Sequence, residues 1–354
     1  MEFSLFKKKE TVALDIGSHS IKLVQLSQSK KGWHLSRLAM KELPPEAIVD
    51  GSLIDSMTVH SALKEILKEN SIKAKDTAIS LTGHSVIIKK VSMPAMTEEE
   101  LGESIQWEAE QYIPFPIADV NIDFQILGED ASGRGQMDVM LVAAKKEVIN
   151  DYTNLIKEAG LNPVVVDVDA FAIENMLDIN YPISANEKIA LINIGASITT
   201  ISVTVGGLTQ FTRSIPIGGN RYTEELQRKF NVNFKDAEGL KMGEVAAGID
   251  SQDLAKAITT VSTNLIMEIR RSLDFFLAGG PDMFISKILL SGGGAKIKGL
   301  GALIQEKTSI NVETANPFNN IEYNHKQFDE EYIKAVAPFF AVAVGLATRR
   351  FGDK

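Results

Sequence analysis

Val12-Ala-Leu-Asp15-Ile-Gly17-Ser18-His19-Ser20-Ile21-Lys22-Leu-Val-Gln-Leu26 reads as two short strands joined by a tight turn. Val12, Leu14 and Ile16 alternate with other residues along the first strand, and Ile21 and Leu23 do so on the return. Gly17 stands where a hairpin needs positive φ or close backbone approach. The turn offers the N–H groups of Gly17 to Ser20 and the hydroxyls of Ser18 and Ser20, a nest suited to phosphate oxygens. Asp15 adds a hard oxygen ligand at the strand end, suited to Mg²⁺ held through water. Read in isolation, the stretch is equally an ordinary hairpin with an aspartate before its glycine.

A second stretch repeats the layout: Ile189-Ala-Leu-Ile-Asn193-Ile-Gly195-Ala196-Ser197-Ile-Thr-Thr-Ile-Ser-Val203. Asn193 stands where Asp15 stands. Two phosphate-type hairpins far apart in one chain imply two similar domains facing one nucleotide.

Composition sets the frame. The 354 residues exceed what one core organises, so two domains are expected. A net charge of −9 opposes nonspecific nucleic-acid binding, which basic surface drives. The absence of cysteine excludes disulfides, thiolate metal sites and cysteine nucleophiles. The five histidines show no metal-ligand spacing. In the first ten residues Phe3, Leu5 and Phe6 precede Lys7-Lys8-Lys9, the reverse of a secretory signal, so this segment reads as a loose tail. Ile189 to Thr212 is the longest run without charge and is long enough to span a membrane, but its Asn, Ser, Thr and Gly content argues for buried strands. The expectation is a cytosolic protein.

Along the chain, a third strand is expected around Trp33 to Met40 and a helix from about Asp55 to Glu69. From Lys75 the pattern changes to a β-α-β-β-α group over roughly 76–158. Its first helix opens with a capping box, Thr97 and Glu100, and buries Leu101, Ile105 and Ala109. Trp107 falls off that stripe, which implies either a helix packed on both sides or a partner surface. Ser132 to Gly135 reads as a Gly-rich turn. Asp167 and Asp169 end a strand at Val164–Val168. A long amphipathic helix is expected over 251–277. Ser291-Gly292-Gly293-Gly294 closes a buried strand; it is a platform for a ligand against bare backbone, or a sharp turn. It matches neither a Walker A loop nor GxGxxG. The last helix, about Ile333–Arg349, is rich in small residues and is expected to pack back on the first domain.

These segments, in this order, resemble the phosphate 1, connect 1, phosphate 2, adenosine and connect 2 motifs of the actin-like ATPase superfamily. The group before connect 1 resembles the inserted subdomain of FtsA. Gln106-Trp-Glu-Ala-Glu-Gln-Tyr-Ile-Pro-Phe115 and Glu268-Ile-Arg-Arg-Ser-Leu-Asp-Phe-Phe276 look like the PilM family of type IV pilus assembly proteins, the FtsA-like branch of that superfamily.

The resemblance implies an α/β fold with two RNase H-like domains facing a nucleotide cleft. The expected division is 1–75 with 159–185 and 335–354 for the first subdomain and 76–158 for the insert. It continues with 186–216 and 283–334 for the second subdomain, and 217–282 for a helical subdomain on the adenosine side. The implied cofactors are ATP or ADP with Mg²⁺. Asp15, Asp169 and Asn193 are expected at the metal. Gly17, Ser18, His19, Ser20 and Lys22 are expected at the phosphates from one side, and Gly195, Ala196 and Ser197 from the other. Gly292, Gly293 and Gly294 are expected along the adenosine, and Glu238 and Lys241 at the ribose or adenine edge. The last two also read as a surface ion pair, and Asp169 as a helix cap. Asn193 replaces the usual aspartate with a neutral amide, so slow or no hydrolysis is expected.

The partner implied is the N-terminal cytosolic segment of PilN, in a groove beside the insert. Other pilus platform proteins and the assembly ATPases are further partners of this class. A homo-oligomer is compatible with it, and no nucleic acid is expected. FtsA-like proteins end in an amphipathic membrane helix, whereas this chain ends at Arg349-Arg-Phe-Gly-Asp-Lys354. It is therefore expected at the inner face of the inner membrane, held there through partners. The alternatives are a polymerising cytoskeletal ATPase like FtsA or MreB, and a metabolite kinase on the same fold.

Overall fold

The structure is a computed structural model that describes residues 11–129, 135–244, 248–279 and 284–353. The first ten residues and most of the turn at 132–135 lie outside the described residues.

The duplication seen in the two hairpins extends to two whole sheets. In the first, the strands run Gly32–Glu42, Ser20–Ser29, Thr11–Ile16, Asp76–Leu81 and Asn162–Val168, side by side in that order. The first two contacts are antiparallel and the next two parallel. In the second, Leu208–Ile215, Thr199–Val205, Lys188–Ile194, Lys287–Ser291 and Val312–Thr314 repeat the order and the directions. Ile321–Glu322 adds a short parallel strand at the Gly32–Glu42 edge of the first sheet. The uncharged run from Ile189 to Thr212 lies in this second sheet, as buried strands.

Between the sheets run the helices Asp169–Asn180 and Ala341–Thr348. One apolar cluster joins Ala13, Val24 and Leu26 of the first sheet, Ile189, Leu191 and Leu289 of the second, and the inward faces of both helices. The helices meet backbone to backbone. A Cβ on Gly345 would stand 1.6 Å from the Ala172 carbonyl oxygen, so only glycine permits this crossing. The single helix expected over Ile333–Arg349 is broken into Glu330–Val336, a tight turn at Ala337–Phe340, and Ala341–Thr348. Pro338 lacks the N–H that an unbroken helix requires. The stretch Glu330–Thr348 is long and apolar enough to cross a membrane, yet 67% of its most apolar window is buried inside the protein, which makes it a core element here. Beyond it, Arg349 Nε lies 3.1 Å from Asp167 Oδ2 and the Arg350 guanidinium lies 5.3 Å from the Trp33 ring.

The inserted module is narrower than its sequence pattern suggests. Its sheet contains Val86–Pro94, Gln136–Lys145 and Val120–Glu129, with Gln136–Lys145 in the centre. The helix Glu98–Glu110 covers it with Leu101, Ile105 and Ala109, and the Thr97–Glu100 capping box forms in full. Asp76–Leu81 pairs instead with Thr11–Ile16 in the first sheet. The helix Lys146–Glu158 packs Val148, Tyr152, Leu155 and Ile156 among Val12, Leu14 and Leu63 of the first domain. Both flanking elements, assigned to the insert from local pattern, are thus captured by nonlocal pairing and packing. Trp107 is 78% exposed, which removes the reading of a helix packed on both sides.

Three helices, Gly219–Phe230, Phe234–Met242 and Ser251–Leu277, lie over the second sheet. The last buries Ile258, Val261, Leu265, Ile269, Leu273 and Phe276, the face its spacing predicts.

Candidate functional site

The two hairpins close with the same bond. Gly17 N–H donates to the Ser20 carbonyl at 3.1 Å, and Gly195 N–H donates to the Ile198 carbonyl at 2.9 Å. Residues of both turns line one cleft between the lobes. All sixteen residues singled out from the sequence line that cleft, from Asp15 and the first turn to Gly294.

The halves differ in charge. Asp15 sits opposite Lys22 across the first hairpin, and their side chains pair at 3.2 Å. The matching positions in the second hairpin are Asn193 and Thr200, both neutral. The Asn193 side-chain oxygen accepts from the Ser291 hydroxyl at 3.2 Å, tying the hairpin to the Gly-rich loop. Asp169, at the start of the inter-sheet helix, makes no capping bond to its own backbone. Its carboxylate accepts from the Ser80 hydroxyl at 2.6 Å. Burial, then the nearby Asp15 charge, push the Asp169 carboxyl up to about 7, against the Ser80 hydrogen bond, which lowers it.

A cation between these two carboxylates would remove the like-charge penalty. Among the described residues no group of three or more His, Cys, Asp or Glu side chains gathers into a protein-only metal cage. Two carboxylates beside a phosphate nest are the donor set of Mg²⁺, which keeps most of its waters and takes its remaining ligands from phosphate. The residues therefore fit that ion when it arrives with a nucleotide. Asn193 offers an oxygen already shared with Ser291.

The Gly-rich loop serves as a sharp turn as well as a wall. Gly292 has φ +80°, and a Cβ there would meet the Ile194 carbonyl at 2.4 Å. A Cβ on Gly294 would stand 2.1 Å from Ile194 Cγ2. These two glycines press the loop onto the second hairpin, and their backbone lines the cleft.

On the opposite wall, Glu238 and Lys241 do not form the surface ion pair that their spacing also allowed. Lys241 is buried, and its ammonium donates to Glu238 at 2.5 Å, Thr223 Oγ1 at 2.9 Å and the Gly219 carbonyl at 3.2 Å. Burial lowers the Lys241 ammonium below its ordinary value, and Glu238 opposes that shift. The network locks the helix Phe234–Met242 onto Gly219–Phe230. The latter's first N–H groups dock on the second hairpin, Gly219 N to Gly195 O at 2.9 Å and Asn220 N to Ala196 O at 2.8 Å. His19 reaches across the cleft to Phe234, ring centres 6.5 Å apart, and burial lowers its imidazole below its ordinary value. The cleft has a cavity volume of about 110 Å³, below the roughly 300–1,000 Å³ of ordinary ligand pockets.

Several lining residues escape the sequence reading: Thr82, Ile198, Thr200, Asn220, Phe339 and Val342. Thr82-Gly83 follows the fourth strand of the first sheet just as Gly292-Gly293 follows its counterpart in the second. Extending the internal repeat to that strand would have found it.

The comparisons agree with this geometry. The family profile described as "Type IV pilus assembly protein PilM" matches residues 13–351. Cell division protein FtsA of Bacillus subtilis (strain 168) is 23% identical, over 86% of this chain and 78% of its own. The FtsA of Escherichia coli (strain K12) is 24% identical over 60% of this chain and 55% of its own. A solved PilM-PilN type IV pilus biogenesis complex superposes with TM-score 0.84 at 30% identity, covering 95% of this chain and 97% of that one. MreB5 of Spiroplasma citri, solved with ADP, has TM-score 0.52 at 15% identity over 96% and 95% of the two chains, a likeness of fold. The duplicated sheets are therefore those of the actin-like ATPase fold, and with a profile match across nearly its whole length the chain belongs to the PilM family of type IV pilus assembly proteins.

Proposed function

We propose that this protein is the nucleotide-binding cytoplasmic component of a type IV pilus inner-membrane platform, and that it holds the N-terminal cytosolic segment of PilN. The observation that carries the nucleotide half is the pair of facing hairpins, with Asp15 and Asp169 beside them. ATP or ADP binds there with Mg²⁺, its phosphates held by Gly17–Ser20 and Lys22 on one side and Gly195–Ser197 on the other. Lys22 exchanges Asp15 for phosphate, and Asp15 and Asp169 hold the hydrated metal. Magnesium supplies charge neutralisation at the phosphates when bound. The second hairpin, with neutral Asn193 and Thr200 where the first has Asp15 and Lys22, adds no carboxylate of its own to hold or activate water, so turnover is slow or absent.

Support for the partner comes from a groove of about 250 Å³ beside the inserted module, lined in part by Val86–Lys89 and Thr212–Pro216. Val86–Pro94 and Leu208–Ile215 are both outer strands of their sheets, and the two approach each other at the Lys90–Gln210 hydrogen bond of 3.0 Å. Half-buried apolar side chains next to strand edges suit an extended peptide, which gains main-chain hydrogen bonds from the edge and specificity from alternate side chains. The PilM relative named above was solved as a complex with PilN.

Calorimetric titration with a PilN N-terminal peptide tests the partner. Saturable binding that is lost in Ile88→Glu supports the reading, and no binding in any nucleotide state refutes it. Titration with Mg·ATP tests the cleft; loss of binding in Asp15→Ala is expected, and binding undiminished by that change places the nucleotide elsewhere.

A further inference from the structure

The first sheet has two ends, and only one of them meets the cleft. At the other, Thr11 pairs with Asp76 and Asp76 with Asn162, so Thr11–Ile16, Asp76–Leu81 and Asn162–Val168 all begin there. The hairpin between Ser20–Ser29 and Gly32–Glu42 projects beyond them. Ala13 lies opposite Val24, and from there the strand runs on to Ser29 and turns at Lys30-Lys31. The helices Ser56–Glu69 and Lys146–Glu158 finish at this end too, since each leads directly into a strand that starts there.

Lysines gather at this end. Lys30 and Lys31 form the hairpin tip, Lys68 and Lys157 lie in the last turns of the two helices, and Lys73 and Lys75 lead into Asp76. All are exposed, and among the described residues none of them forms an ion pair. Elsewhere on the surface Lys41, Lys256 and Lys334 sit 2.9, 3.4 and 2.9 Å from a carboxylate. The carboxylates of this end are Glu69, Asp76 and Glu158; Glu69 lies 3.8 Å from Lys41, and Asp76 accepts from the Asn162 amide at 3.0 Å. Lysines in a last turn complement the helix dipole, which accounts for Lys68 and Lys157 but not for the hairpin tip. On a chain of net charge −9 the end is a local reversal of sign. Both termini of the chain add to it. The residues that feed Thr11 include Phe3, Leu5 and Phe6 followed by Lys7-Lys8-Lys9. From the other terminus, the Arg350 guanidinium lies over Trp33, next to the hairpin tip, and Phe351 is 83% exposed.

We propose that this end of the first domain binds an anionic lipid bilayer directly, with Phe3, Leu5, Phe6 and Phe351 entering the headgroup region and the lysines facing lipid phosphates. Attachment of this kind takes two signals together. A few apolar side chains give only marginal, reversible partitioning, and each lysine held near an anionic surface multiplies it by about five. The pairing of signals also selects the occupant, because a nucleic acid or an acidic protein segment would use the lysines and leave the adjoining phenylalanines and leucine in water. The cleft lies at the opposite end of the same strands and so faces away from the bilayer. The proposal goes beyond the function inferred above and requires neither PilN nor nucleotide.

The test is co-sedimentation of the full chain, without PilN, with vesicles of phosphatidylcholine alone or of an equal mixture with phosphatidylglycerol. The parent is expected to pellet with the mixed vesicles, to stay in solution with the neutral ones, and to bind less as salt is raised. Lys30→Glu with Lys31→Glu should weaken binding by about tenfold or more. Phe3→Ser with Phe6→Ser, which leaves the charge unchanged, should also weaken it by about tenfold or more. Lys229→Glu with Lys256→Glu, the same change of charge on the helices over the second sheet, should leave it within about twofold. Unchanged thermal melts of the variants show that their folds are intact. Failure of the parent to pellet with the mixed vesicles overturns the proposal. Equal weakening by the Lys229 and Lys256 changes overturns it as well, since attraction would then lack a defined face. Undiminished binding after the Phe3 and Phe6 changes overturns it too, since no apolar group would then enter the bilayer. Each of these outcomes leaves the PilN and nucleotide titrations untouched, so the proposed function stands or falls separately.

Discussion

Replacing Asp169 with asparagine should strengthen the empty protein and weaken the loaded one. The Asp169 carboxyl is pushed from an ordinary 3.8 up to about 7 by burial and by Asp15. A group whose folded value is raised contributes stability that is complete below the unfolded value and is lost as pH rises toward the folded one. The window here is thus pH 3.8 to about 7. Three pH units at about 1.36 kcal/mol each amount to roughly 4 kcal/mol given up by the time Asp169 is ionised. An amide carries no charge at any pH, and its oxygen still accepts from Ser80. Without nucleotide or magnesium, Asp169→Asn is therefore expected to exceed the parent by up to about 4 kcal/mol at pH 8 and by only about 1 to 2 kcal/mol at pH 5. Urea unfolding at the two pH values reads the difference directly. With Mg·ATP the order reverses, since the parent's paired carboxylates gain a cation and the variant's half-pair gains less. Equal pH profiles for the two proteins would refute the reasoning, because they would mean that Asp169 has no proton held by its surroundings.

Other expectations follow from packing and charge. Gly345→Ala forces apart helices in backbone contact and should cost about 3 kcal/mol or more, whereas Gly301→Ala, with no neighbour closer than 3.8 Å to the new Cβ, should stabilise by about 0.5 to 1 kcal/mol; thermal melts of both decide. Lys241→Met leaves Glu238 facing the site without its cation and should destabilise by about 3 kcal/mol, while the double change with Glu238→Leu recovers part of the loss; a double-mutant cycle by urea unfolding measures the recovery. Trp107→Ala should alter stability by no more than about 0.5 kcal/mol, as at other exposed sites, and a larger drop in a denaturation curve would contradict its exposure. Steady-state ATP hydrolysis should fall far below the order of 10 per second typical of enzymes; phosphate release at saturating Mg·ATP checks it.

The sequence disclosed what is local. A strand ending in Ile-Gly, a polar residue before it and small residues after it are contiguous, so both hairpins and their ligand-facing backbone were readable. The capping box at Thr97 was readable for the same reason. What escaped depends on partners distant in the chain. Asp76–Leu81 looks like a module strand until Thr11–Ile16 claims it. Thr82 becomes a wall residue only because that strand joins the first sheet beside Thr11–Ile16. The exposure of Trp107 follows from the absence of a neighbour, which periodicity does not register. The burial of Lys241 depends on Thr223, 18 residues away, and on a carbonyl at Gly219. The interruption at Pro338 was legible in principle, since proline has a fixed local consequence, but small-residue content dominated the reading of that helix.

The helix crossing at Gly345 has a consequence measured in time. Strands ending at Glu42 contribute Ala13, Val24, Leu26 and Leu35 to a core that also needs Val342, Val344 and Leu346. A ribosome adding about 5 to 20 residues per second takes on the order of 15 to 60 s to travel from the first of these segments to the last. Throughout that interval the nascent first lobe holds an apolar sheet face that its own final helix has not yet reached. The chain is made with its oldest surface waiting for its newest, and its yield in a cell should depend on whatever shields that face in the meantime.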